Sequence, residues 1–165
     1  MPRSLDHRAP FPHPAEAVHP VLTGRATIER RLQELGGPGA ALLSYEETGD
    51  GVRYTLRHGI SAADLPSVVS SLVPGDLRIE RTEEWHPAGP GVWEGTGTVQ
   101  VHGAPASATS TMRLTDADGG SEVTVHADVT VKVPILGGTI EESVAGQIRR
   151  LLDAEAEFTA KQIGR

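Results

Sequence analysis

Charged side chains at apolar positions are where chemistry would show first in this sequence. In "DLRIERTEEW" the alternate positions that hold Leu77, Ile79 and Trp85 also hold Arg81 and Glu83, so two opposite charges interrupt one strand face. In the C-terminal segment, Ile140, Val144, Ile148, Leu151, Leu152 and Phe158 form one stripe at about 100° per residue, and Glu155 falls at its middle. Buried charges need partners, so Arg81 with Glu83 or Glu155 would form such a pair; alternatively the guanidinium would fork a ligand carboxylate. If Glu155 faces a cavity, partial desolvation raises its pKa and suits it to bind a ligand or a basic neighbour, or to act as a general acid or base. The competing readings are plain. The helix end overhangs the sheet and leaves Glu155 wet, or a bulge at Arg81 flips the strand phase.

Other side chains share the same inward phase. "VRYTLRHGI" sets Tyr54 and His58 in register with Val52, Leu56 and Ile60. His58 is either a satisfied core histidine or the second acid–base candidate beside Glu155. Trp85 and Trp93 flank the turn "HPAGPG", while Gly95 and Gly97 leave the next inward positions nearly empty. The rings either shape a pocket or fill the space the glycines leave. In "GISAADLPSVVSSLVPGD", Leu65, Val68, Val69 and Leu72 have helical spacing, with Ser61 and Asp64 able to cap a short helix. A helix at 61–73 would be a lid over a cavity, a plug on the sheet edge or a dimer contact. Ligand-binding candidates are therefore Tyr54, His58, Arg81, Glu83, Trp85 and Trp93 from the sheet. Leu65, Val69 and Leu72 join them from the lid, and Ile148, Leu151 and Glu155 from the last helix.

Several chemistries find no support. His7, His13 and His19 are six residues apart, which matches neither a helical nor a strand metal pair, and His102 and His126 fall on the wet phase, so no metal is expected. "DADGGSE" lacks the ligands and length of a calcium loop and reads as a hairpin turn. No G-x-S-x-G elbow, Walker loop or complete G-x-G-x-x-G occurs, and no cofactor is implied. The 165 residues contain no cysteine, which removes disulfides, thiolate zinc sites and cysteine nucleophiles. With 15 basic and 22 acidic side chains the net charge is -7, which opposes binding to nucleic acid or an anionic bilayer. "MPRSLDHRAPF" lacks the apolar core of a signal peptide, and no run is long enough to span a membrane. The expectation is a cytoplasmic protein.

The elements that must position these residues follow from periodicity. "SLDHRAPF" alternates as a first strand, and "PAEAVHPVLTG" and "RATIERRLQELGG" read as two short helices. From Ala40 the period becomes two, and six strands separated by turn signals form an antiparallel meander. A long helix from Thr139 to Ile163 follows, with Thr139 and Glu142 in capping-box spacing. Gly137 and Gly138 in "VPILGGTIEE" read as a tight strand-to-helix corner rather than a phosphate cradle, because the capping box already uses the helix-end donors. No repeat or linker divides residues 1–165, so one α+β domain is expected.

That order of elements resembles the helix-grip fold of the START and polyketide-cyclase-like (SRPBCC) superfamily. Three stretches carry a closer likeness to an uncharacterised bacterial branch of it, a domain of unknown function: "LDHRAPFPHPAEAVHPVLTG", "LPSVVSSLVPGDLRIERTEEW" and "VPILGGTIEESVAGQIRRLLDAEAEFTA". The resemblance implies a sheet curled around the C-terminal helix with any ligand between them. It carries over no catalytic motif, since members of the superfamily bind sterols, lipids, hormones or polyketides and some are enzymes. The expected function is binding of a small hydrophobic molecule, lipid, polyketide or sterol-like. The alternatives are a cyclase, dehydratase or hydrolase using Glu155 or His58, and an interaction domain that forms a homodimer or docks another chain.

Overall fold

A computed structural model describes residues 3–65, 67–71 and 75–163. The alternating segments form strands β1 (Arg3–Phe11), β2 (Ala41–Thr48), β3 (Gly51–Ile60), β4 (Leu77–Gly89), β5 (Val92–His102), β6 (Ala106–Ala117) and β7 (Gly120–Val131). All pair antiparallel in one seven-stranded sheet of order β1-β7-β6-β5-β4-β3-β2. The last six strands are thus the expected meander, and the first strand closes onto its far edge beside β7. Helices α1 (Ala15–Thr23) and α2 (Arg25–Leu35) carry the chain from one edge to the other. Between β3 and β4 lie a single 3-10 turn, Ala62–Asp64, and the short helix α3 (Ser67–Ser70); the long helix α4 (Gly137–Ile163) ends the fold.

One face of the sheet is apolar and covered. Along β7, Val123, Val125, Ala127, Val129 and Val131 are buried while the intervening residues reach solvent to differing degrees, as strict alternation on a half-covered sheet requires. The hairpin before it turns on Asp118 and Gly119, with φ of 42° and 80°, the pair of left-handed residues a two-residue hairpin loop demands. The covered face builds two clusters. One joins Phe11, Leu56, Trp85 and Leu114 to α1 and α2 through Val18, Ile28 and Leu32. The other joins Leu5, Ala108 and Val129 to the start of α4 through Ile140 and Ala145, and Leu152 touches both. α4 packs against β1, β7, α1 and α2.

The corner before α4 differs from the expectation. The helix starts at Gly137, whose N–H donates to the Val133 carbonyl at 2.9 Å, so Thr139 sits within the first turn and is not the cap. Glu142 pairs instead with Arg3 at 3.2 Å. Glu141, buried, accepts the Val131 N–H at 2.9 Å and ties the end of β7 to the helix. Nor does the corner use the left-handed freedom of its glycines: Ile135 takes the positive φ, at 68°. Gly137 serves close approach, since a Cβ there would lie 2.9 Å from the Val131 carbonyl oxygen.

Candidate functional site

The β3–β4–β5 register runs without a bulge from Leu77 to Pro87, so the inward phase persists through Arg81. Arg81 lies between Leu56 and Val99, and Glu83 between Tyr54 and Gly97. The side chains meet as a network. Arg81 Nε donates to Glu83 Oε2 at 2.8 Å, and its Nη2 lies 2.6 Å from the same oxygen. Arg81 Nη1 donates to both Glu155 oxygens, at 3.1 and 2.9 Å. The Tyr54 hydroxyl donates to Glu83 Oε1 at 2.6 Å. From α2, Arg31 brings its Nε to 3.6 Å from Glu155 Oε2, an ion pair beyond hydrogen-bond reach, and its Nε and Nη2 are buried without a hydrogen-bond partner.

Electrostatics fix the charge states. Burial alone would push Glu155 up, but Arg81, and then Arg31, outweigh it and hold the carboxyl at about 2. The raised pKa expected for Glu155 is thereby corrected: the residue is dry, as a cavity-facing position would be, but two guanidiniums neutralise the cost. It is also not wet, being only 6% exposed. Burial would lower the Arg81 pKa; Glu155 and then Glu83 raise it well above its ordinary value. Burial and then the Glu83 charge push the Tyr54 phenol well above 10. Burial, and then the Arg81 charge, lower His58 to about 4, and its Nε2 is buried with no hydrogen-bond partner.

A cavity of about 430 Å³ lies between the sheet and α4. Val99, Val101, Ala108, Ala127 and Val129 form its sheet wall, and Val144, Ile148 and Leu151 its helix wall. Leu65 and Val69 border it from the segment between β3 and β4. His58, Arg81 and Glu83 also border it, as do the polar residues Ser107, Thr109, Ser110, Ser143, Gln147 and Arg150. Of the twelve ligand-binding candidates, seven therefore border this space: His58, Leu65, Val69, Arg81, Glu83, Ile148 and Leu151. Glu155 and Tyr54 stand behind Arg81 and Glu83, off the wall. Leu72 lies outside the described residues.

The tryptophans do other work. A Cβ added at Gly95 would meet Trp85 Cδ2 at 2.9 Å and Met112 Cε at 3.1 Å, so the Trp85 ring fills the space that glycine vacates. Trp93 stacks on His19 of α1 with ring centroids 4.5 Å apart. Neither ring borders the cavity. Gly97 faces Glu83 across the β4–β5 pair, and a Cβ there would lie 2.5 Å from Ser110 Oγ. Among the described residues, no three His, Asp or Glu side chains gather as a metal site.

Two buried charges escaped the sequence reading, Arg31 and Glu141. Each carried a signal. Arg31 is in helical phase with Ile28 and Leu35, and Glu141 with Ala145, Ile148 and Leu152. "RATIERRLQEL" offers three arginines, however, and only the packed helix selects the one that faces Glu155.

Known proteins align with this architecture. The structure of TTHA0849 from Thermus thermophilus matches with a TM-score of 0.63 at 12% identity, covering 98% of this chain and 97% of that one. Norcoclaurine synthase from Thalictrum flavum matches with a TM-score of 0.60 at 13% identity, over 99% and 87% of the respective chains. At such identities the likeness concerns the fold alone, the helix-grip arrangement of an antiparallel sheet and a long C-terminal helix. In sequence, an uncharacterized protein of Mycobacterium tuberculosis is 29% identical over 170 residues, covering 96% of this chain and 95% of the relative, and one of Mycobacterium bovis matches to the same extent. The model of one family, described as "Protein of unknown function (DUF2505)", spans residues 6–163, and the chain belongs to that family.

Proposed function

We propose that this protein binds a small, largely apolar molecule in the hollow between the sheet and α4, with the polar end of that molecule at His58, Arg81 and Glu83. The observation that carries the reading is a cavity of about 430 Å³ whose sheet and helix walls are largely aliphatic, bordered by His58, Arg81 and Glu83. That volume falls within the roughly 300–1,000 Å³ of pockets that enclose a drug-sized molecule. The segment around Leu65 and Val69 serves as the lid, because both residues border the cavity.

Binding is favoured over catalysis by the charge states. Glu155 is an ionised counter-ion at about 2, and His58 is neutral down to about 4, so neither exchanges a proton readily near neutral pH. Native mass spectrometry of protein purified from its source is expected to find an added mass. Titration with Nile red is expected to give a saturable fluorescence rise that the extracted ligand reverses. If no mass is added and the dye response does not saturate, the reading is wrong.

A further inference from the structure

We infer that the end of the bound molecule facing the mouth of the cavity carries a singly charged anion, a carboxylate, held by Arg150. The inference rests on the binding reading above and adds the chemistry of the molecule's outer end.

Among the described residues, three charged ones border the cavity: Arg81, Glu83 and Arg150. The first two belong to a set that balances itself, since Arg31 and Arg81 face Glu83 and Glu155. Arg150 stands outside that set. Among the described residues no acceptor takes its guanidinium, which lies over Gly146, with Nη1 3.6 Å from where a Cβ on that glycine would be. His58 adds no charge at neutral pH. The wall therefore carries one uncompensated positive charge, and it belongs to an exposed residue.

The neighbours of Arg150 suit the same ligand group. Ser143, Gln147 and Arg150 are spaced i, i+4, i+7, so they share one edge of α4. Beside that edge run Val144, Ile148 and Leu151, the apolar line that walls the cavity. A free guanidinium fork matches a carboxylate with two parallel hydrogen bonds, and a hydroxyl and an amide beside it add neutral donors. A phosphate, with its charge of about -1.5 to -2, would be left partly uncompensated by one arginine. At an exposed rim the carboxylate keeps part of its hydration and avoids the full cost of burying a charge. Gly146 precedes Glu155 by nine residues, about 13.5 Å along the helix axis at 1.5 Å per residue. The head group and the buried ion pairs thus lie well apart.

Isothermal titration at neutral pH tests this with decanoate and decanol for a chain-shaped hollow, and naphthoate and naphthol for a ring-shaped one. In whichever pair binds, Arg150→Gln is expected to weaken the carboxylate about fivefold and leave the alcohol unchanged. Added salt is expected to weaken the carboxylate alone. Arg149→Gln removes the adjacent exposed arginine, which does not border the cavity, and is expected to change neither probe. Persisting alcohol binding shows that each variant is folded. A carboxylate affinity that Arg150→Gln leaves intact, or lowers no more than the alcohol's, or that Arg149→Gln lowers equally, overturns the inference and leaves the binding reading standing. If none of the four probes binds the wild-type protein, both fall.

Discussion

Glu155 keeps its charge in the interior because Arg81 and Arg31 surround it, and that arrangement predicts how the protein responds to substitution. Glu155→Gln leaves Arg31 without its counter-ion and Arg81 half satisfied; breaking a buried pair in this way costs about 3–5 kcal/mol. Urea unfolding at neutral pH measures the loss, and a loss below about 1 kcal/mol, the ceiling for exposed pairs, would show that the network contributes only what surface pairs do. The pH dependence has a definite sign. Because the folded value of about 2 lies below the ordinary 4.5, the contribution of Glu155 is complete above pH 4.5 and fades as pH falls toward 2. The gap between wild type and Glu155→Gln should accordingly be flat near neutrality and close through that acidic window. At this scale the sequence was legible where a charge broke a period, as at Arg81, Glu83 and Glu155. It was not legible for Arg31, which shares its helix with two other arginines.

Among the elements, the strand-to-helix corner at 132–136 carries the clearest strain. Ile135 is β-branched, holds φ at 68° and is fully exposed, so it spends conformational energy and buries nothing in return. Asparagine tolerates that region far better, and the left-handed conformation costs an ordinary L-residue about 1–2 kcal/mol. Ile135→Asn is thus expected to raise stability by about 1 kcal/mol, read as an upward shift of the urea midpoint with unchanged slope. A midpoint that stays or falls would mean the corner holds no such strain. The strands and the three longer helices were legible, because a period of two and a period near 3.6 are different physical surfaces; the helix expected over 61–73 is instead a 3-10 turn at Ala62–Asp64 and a four-residue helix at Ser67–Ser70 among the described residues. The cap of α4 was misread because Thr139 and Glu142 have the right spacing, whereas the helix start was decided by Gly137 reaching back to Val133.

For the molecule as a whole the decisive property is the pocket that the sheet and α4 border together. Ala127 lies on β7 opposite Leu5 and Ser110, is buried and borders the cavity. Enlarging a residue in a filled core costs about 1–3 kcal/mol. Ala127→Leu projects into open space instead, so its unfolding free energy should change by less than about 1 kcal/mol while Nile red affinity falls roughly tenfold. A strongly destabilised variant would indicate a filled interior. Retained dye affinity would mean the dye binds elsewhere.

By itself the sequence determined the order of strands and helices, the face each presents inward, and the presence of charges that the interior had to neutralise. All of these are local, since side-chain direction along a strand or helix repeats with the backbone. Tertiary structure alone decided which arginine answers Glu155, that Trp85 lies over Gly95, and that His58, Arg81 and Ile148 border one pocket. Those outcomes depend on distances between segments up to 124 residues apart, as Arg31 and Glu155 are, and periodicity contains no term for that separation.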